Sequence, residues 1–368
     1  MTTPDTVDVV ALGESMVTFL PTGPGRLADV PSFDRAIGGA ESNVVCGLAA
    51  AGHAVRWVSR VGTDGFGDHL VETIGGYGVD VASVGRDPVR PTGVYFRTAG
   101  DRAGADHEVA YYRAGSAASA MSTATVDPAA VRAGRVLHLS GITAALSPEC
   151  RELLWELTEP RPGRPLVSFD VNHRRGLWPT AEGPRVLLEL ARRADLVFVG
   201  EDEAEEAWGI TGGPSAVREA LPEPRVLVVK QGGRGAGAFV SAADGGGPVA
   251  PTRRSRTGQG PAPLGEVPSR SVFVPAPVVD VVASTGAGDA FAAGFLSATL
   301  RGLPLPDRLR HGHLWAAAAL TVPGDLAAPP SHDHADRLAA LDDRAWGTLR
   351  LGPGWTRTGA TPEEVRTP

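Results

Sequence analysis

The sequence predicts an α/β fold built on a mainly parallel sheet flanked by helices, with a small additional β-sheet. Two observations carry this. Short apolar runs rich in Val and Leu alternate with helical stretches up to residue 230, and repeated strand–helix units lay strands side by side with helices covering both faces. Two stretches, Met16 to Ile37 and Thr92 to Ala117, break the alternation. Within the second, GVYFRTAG and HEVAYYRAG have hairpin character around a Gly/Asp turn, which supplies the extra sheet.

Val7 to Leu12 reads as a buried strand, and residues 41–51 (ESNVVCGLAAA) as a helix of small residues stopping at Gly52. VRWVSRVG is the next strand. Residues 66–76 are helical in pattern, and VDVASV near 79–84 reads as a strand. The alternation then resumes with strand Val136–Leu139, helix Pro148–Leu157, strand Leu166–Asp170 and helix Ala181–Arg193. Strand Leu196–Val199, helix Glu203–Trp208 and strand Val226–Lys230 follow. Residues 241–271 are rich in Gly, Pro, Ser and Arg and read as a mobile surface insertion. Ala287–Arg301 and His311–Leu320 are closing helices, and 352–368 reads as a loose tail. One domain is expected over 1–351.

Composition removes several function classes. With 368 residues, 42% hydrophobic and 21% charged, the chain can bury a sizeable core. A net charge of −7 argues against nucleic-acid and anionic-membrane partners, which want a basic face. No window approaches the ~18 apolar residues of a membrane span. The opening MTTPDTVDVVALGE has acids where a signal peptide has bases, so a cytoplasmic protein is expected. Cys46 and Cys150 lack CxxC spacing and are expected as buried thiols.

Of the 35 basic residues only Lys230 is lysine. Its neighbours Val228, Val229 and Gln231 do not make a GxxxxGK[ST] loop, which excludes a Walker-A site. Neither the His-Arg-Asp of protein kinases nor the GxSxG elbow of serine hydrolases occurs. The HxH pairs at His311/His313 and His332/His334 lack Cys or Glu at metal spacing. Arg253, Arg254 and Arg256 read as a solvated loop.

The sharpest segment is STGAGDAFAAGFLSATL, residues 284–300. Gly286, Ala287 and Gly288 stand where a loop becomes a helix, so unpaired N–H groups and the helix dipole make an anion site. Asp289 stands in the same turn, either as an N-terminal cap or, facing a pocket, as acceptor of a substrate hydroxyl's proton. GGAESNVVCGLAAAG (38–52) opens a second helix on a Gly pair; Gly38 and Gly39 allow a close ligand or a tightly packed helix. VVKQGGRGAGAF (228–239) matches G-x-G-x-x-G/A at Gly233, Gly235 and Ala238, yet AFV reads as a returning strand where a dinucleotide fold needs a helix.

GGAESNVVCGLAAAG with RVGTDGFGDHL resembles the first signature of the ribokinase-like (PfkB) carbohydrate kinases, and STGAGDAFAAGF resembles their second. The likeness spans nearly 7–325. It implies a Rossmann-like core, a β lid made from about 16–37 and 92–117, ATP along 230–240 and 286–320, and a sugar between core and lid. By the resemblance Asp289 is the catalytic base and Gly286, Ala287 and Gly288 the anion hole. Lys230, Gly232, Gly235, Gly286 and Gly288 would meet the nucleotide. Mg²⁺ would bridge phosphates, with Glu203 acting through water, although Gly200 stands where relatives have Asn. Ala283 stands where many relatives have Asp, so dependence on a monovalent cation is not inherited. Pairing of lids implies a possible homodimer.

YYRAGSAAS, LHLSGITAALSP and SFDVNHRRGLWP together resemble the sugar-acid branch of the family, the 2-keto-3-deoxygluconate kinases. There Arg113 and Arg174 would meet a sugar-acid carboxylate, for which guanidinium groups are bidentate donors. Gly39, Asn43, Tyr95 and Tyr111 complete the substrate contacts that the resemblance implies. A fructokinase is the alternative, and a nicotinamide-dependent oxidoreductase or a non-catalytic sugar-binding regulator the alternatives of another class.

Overall fold

The computed structural model describes residues 6–23, 25–98, 108–178, 182–241 and 270–357. The first half runs β1 (Val7–Leu12), β2 (Met16–Pro21), β3 (Phe33–Gly38), α1 (Ala40–Ala50), β4 (Val55–Gly62), α2 (Gly65–Gly76), β5 (Val84–Asp87), β6 (Val94–Arg97) and β7 (Val109–Tyr112). Next come α3 (Pro128–Arg132), β8 (Gly134–Ser140), α4 (Gly141–Ala145), α5 (Pro148–Thr158), β9 (Leu166–Asp170), α6 (Glu182–Arg193), β10 (Leu196–Gly200), α7 (Glu201–Trp208) and α8 (Gly213–Ala220). The chain ends with β11 (Val226–Lys230), β12 (Ala236–Val240), β13 (Arg270–Val274), β14 (Val278–Val279), α9 (Ala287–Leu300), α10 (Leu305–Leu320), α11 (His332–Ala339), α12 (Asp343–Gly347) and β15 (Arg350–Leu351).

Nine strands form one sheet in the order β13-β12-β11-β10-β9-β8-β1-β4-β5. All neighbours from β5 to β11 are parallel, and β12 and β13 return antiparallel at one edge. Successive strand residues point to opposite faces, and the core divides accordingly. Val9, Ala11, Phe198 and Val228 pack with α1, α9 and α10 on one face. Val10, Leu12, Val197 and Val229 pack with α5 and α6 on the other. The small residues of α9 let α10 come close: a Cβ at Gly294 would lie 2.5 Å from the His311 carbonyl.

A separate four-stranded sheet, β3-β2-β6-β7, comes from the two irregular stretches. β6 and β7 pair antiparallel, as the hairpin pattern anticipates, while their turn lies outside the described residues. Phe96 knits this sheet together, stacked 4.7 Å from Phe19 and edge-on to Phe33 and Tyr112.

Several expected boundaries are corrected. VDVASV is not a strand through 79–84: Asp80 makes one bridge to Arg56 and accepts from the amide of Ala82, which turns the chain before β5 starts at Val84. Arg270 and Ser271 belong to β13 and not to the insertion, the rest of which (242–269) lies outside the described residues. Within the segment expected as a tail, Trp355 is buried in the core beside β15, and 358–368 lie outside the described residues. α10 begins at Leu305 instead of His311, since the first helical turn tolerates Pro306. Cys46 and Cys150 are free and buried.

Candidate active site

Strand order reverses around β1, with β4 and β5 to one side and β8 to β11 to the other. In such sheets a crevice opens at the strands' carboxyl ends. Glu14 follows β1, Ser140 ends β8, Asp170 ends β9 and Lys230 ends β11.

Above these ends sits the start of α9. Gly286 is its N-cap in the left-handed region at φ 78°, and a Cβ there would lie 2.1 Å from the Asp325 carbonyl. Ala287, Gly288 and Asp289 form the first turn. Asp289 does not cap its own helix; its Oδ2 accepts from Asn43 Nδ2 of α1 at 2.8 Å, joining the two glycine-led helices. Burial pushes its carboxyl up to about 7, and the charge of Asp170 adds to this against the Asn43 hydrogen bond, Arg174 and Lys230. A carboxyl raised toward neutrality is suited to general acid–base work.

Lys230 Nζ donates to both oxygens of Asp170, at 3.0 and 3.2 Å. Asp170 pairs in register with Phe198, and Lys230 with Gly200 two residues on, so both face the side of the sheet that carries α9. Burial works against the charged amine, but Asp170, Glu203 and Asp289 outweigh it and hold the group protonated. Gly232 (φ 56°) and Gly235 (φ 138°) shape the loop from β11 to β12; a Cβ at 235 would strike the Val274 carbonyl. After the single 3-10 turn Gly232–Arg234 the chain returns as antiparallel β12, so the dinucleotide-like glycine spacing opens no α-helix.

Glu203 accepts from the Gly200 amide at 2.8 Å, and its other oxygen meets Arg174 Nη1 at 3.4 Å. Arg113 pairs with Glu14, whose Oε1 also accepts from Ser116 at 2.5 Å. Tyr111, beside Arg113, is half exposed. Tyr95, expected as a substrate contact, is buried with its hydroxyl donated to Asp325 at 2.6 Å. At Gly39 the space for a side chain is taken by the Glu14 carbonyl and Ser15 Cα, which lie between β1 and β2.

Three carboxylates at the site carry no role in the sequence reading. Asp325 binds Tyr95 and Arg97 (3.0 Å) and presses on Gly286, tying the small sheet to the start of α9. Glu14 secures Arg113. Glu41 is fully buried, its carboxyl raised by burial while Thr143 and Ser140 donate to it at 2.7 Å. Glu14 lies in the GE dipeptide after the first strand and Glu41 in the GGAESNVV motif, whereas no motif marks Asp325. The HxH histidines diverge: His311 meets Asp336, His313 the Val274 carbonyl, and His334 the ring of Trp355.

A doubly wound sheet with a glycine-led helix start and a buried carboxylate above its strand ends can accommodate phosphoryl-transfer chemistry. The chain belongs to the pfkB family of carbohydrate kinases, whose family model matches residues 7–332. It is 32% identical to the 2-dehydro-3-deoxygluconokinase of Bacillus subtilis (strain 168), over 89% of this chain and 94% of that one. It is 31% identical to fructokinase-1 of Oryza sativa subsp. japonica, over 78% of this chain and 81% of the other. The crystal structure of a PfkB protein from Polaromonas sp. JS666 superposes with a TM-score of 0.73 at 32% identity, covering 91% of this chain and all of that one. The ribokinase-like fold is therefore established. Among the described residues no helix is long and apolar enough to cross a membrane.

Proposed function

We propose that this carbohydrate kinase transfers the γ-phosphoryl group of ATP to the terminal hydroxyl of 2-keto-3-deoxygluconate. The observation that carries the reading is the Asp289 carboxyl in the first turn of α9, hydrogen-bonded to Asn43 and tuned to exchange protons near neutrality. In the reaction the acceptor hydroxyl loses its proton to Asp289 and its oxygen bonds to the γ-phosphorus. The bond to the ADP oxygen breaks, and ADP takes the electron pair. Amides at Gly286, Ala287 and Gly288 offset the charge on the equatorial oxygens.

Sugar acid is favoured over neutral sugar by Arg113, held in place by Glu14, and by Arg174, which is near enough to bias Asp289. The small sheet is read as a lid over this space. Mg²⁺ would enter on the nucleotide and neutralise phosphate charge. Both Glu203 oxygens are already engaged, which fits contact through the metal's water shell and not direct ligation. One observation supports a fructokinase instead: the Arg113 charge is already balanced by Glu14, leaving a paired and less acid-selective group.

The test is ADP release over a panel of sugars and sugar acids, with Asp289→Asn alongside. Turnover confined to neutral sugars would reject the sugar-acid reading, and substantial turnover by Asp289→Asn would reject the base.

A further inference from the structure

Asp170 and Lys230 form a pair to which the transfer step above gives no part. Asp170 is enclosed, with its side chain 4% exposed, whereas Lys230 keeps 19% of its side chain exposed. An ammonium carries three N–H donors; two are engaged by the Asp170 oxygens. Nζ lies 3.6 Å from where a Cβ on Gly288 would stand, beside the first turn of α9.

A buried ion pair is a poor way to hold a sheet together, since apolar side chains of similar volume serve as well or better. The groups around this one are arranged for charge. Glu203 from α7 and Asp289 from α9 add negative potential at Lys230, and His138 from β8 is held neutral through burial and the nearby ammonium. The result is a fixed cation with a donor to spare beside the first turn of α9 that carries Asp289, which Arg174 also influences. A phosphoryl group in flight spreads charge over three equatorial oxygens.

We propose that Lys230 is a further catalytic residue, its unshared N–H donor meeting an oxygen of the transferring phosphoryl group, and that Asp170 is the residue that positions it. The inference rests on the phosphotransfer reading of the site and moves Lys230 from a general nucleotide contact to the reacting group. No proton leaves Lys230, since the acceptor's proton goes to Asp289.

The experiment uses the full chain and Lys230→Met. ATP and ADP affinities are measured by calorimetry without sugar, and kcat by ADP release with the acceptor that the parent enzyme turns over. ATP should weaken about tenfold or more while ADP changes by less than about twofold, the loss expected of one charge-assisted hydrogen bond to the last phosphate. kcat should fall about 10²- to 10³-fold. Asp170→Asn should lose part of the ATP-over-ADP preference and lower kcat more than it raises KM, and it carries the test if Lys230→Met does not fold. Equal weakening of ATP and ADP, or no change in either, overturns the proposal. The affinity comparison needs no acceptor, so a wrong sugar would appear in the substrate panel while this result stands.

Discussion

Asn43→Leu should move the acid limb of the pH–rate profile upward. In the free enzyme the Asp289 carboxyl sits at about 7, with the Asn43 hydrogen bond pulling it down. A hydrogen bond to a charged group contributes about 1.5–3 kcal/mol, and one pH unit corresponds to about 1.4 kcal/mol. Removing the amide while keeping its bulk should therefore raise the midpoint by about one to two units. At pH 7 the ionised fraction then falls from about one half to between about one tenth and one hundredth, so kcat/KM should drop about 5- to 50-fold and recover toward pH 9. The assay is ADP release between pH 5.5 and 9.5 under kcat/KM conditions, which report the free enzyme's groups. Any lost substrate contact would lower the whole curve without moving its midpoint. A limb that stays in place would refute the pairing of Asn43 with the base.

Asp289→Asn should abolish transfer, leave ATP binding, and be more heat-stable than the parent at pH 8. The folded carboxyl titrates above its unfolded value, so the parent loses stability as pH rises from about 4 to about 7 and the variant does not; melting curves across that window check the sign. Gly286→Ala should lower both the melting temperature and kcat, because a left-handed alanine costs about 1–2 kcal/mol and its Cβ meets the Asp325 carbonyl. Asp325→Ala strands Arg97, whose side chain is 3% exposed, and should destabilise the fold by about 3–5 kcal/mol in chemical denaturation. Arg113→Ala should damage turnover of a sugar acid far more than that of fructose, read as separate kcat/KM values on the two substrates.

The parallel sheet was readable because its strands carry the signal within themselves. Runs such as VVALG, LVSFD and VLVVK are mostly buried on both faces, so near-continuous apolar character marks them. Some boundaries also depend on partners distant in sequence. Asp80 turns toward Arg56, and Trp355 anchors a segment whose local composition reads as a tail. Short helices such as α3, α4 and α12 span too few turns to show a period.

Local composition was enough to place a helix start after Gly286 with Asp289 in its first turn, because small residues before an apolar helical run mark such a start whatever surrounds it. Which charges gather around that turn is another matter. Asp170 and Lys230 are 60 residues apart, Asn43 and Asp289 are separated by 246, and Tyr95 and Asp325 by 230. No periodicity links such positions. They meet because strand order brings the ends of β9 and β11 to flank β10, and because α1 and α9 pack on one face of the sheet. Proton affinity, ion pairing and burial depend on distances of a few ångströms, and only the folded chain sets those.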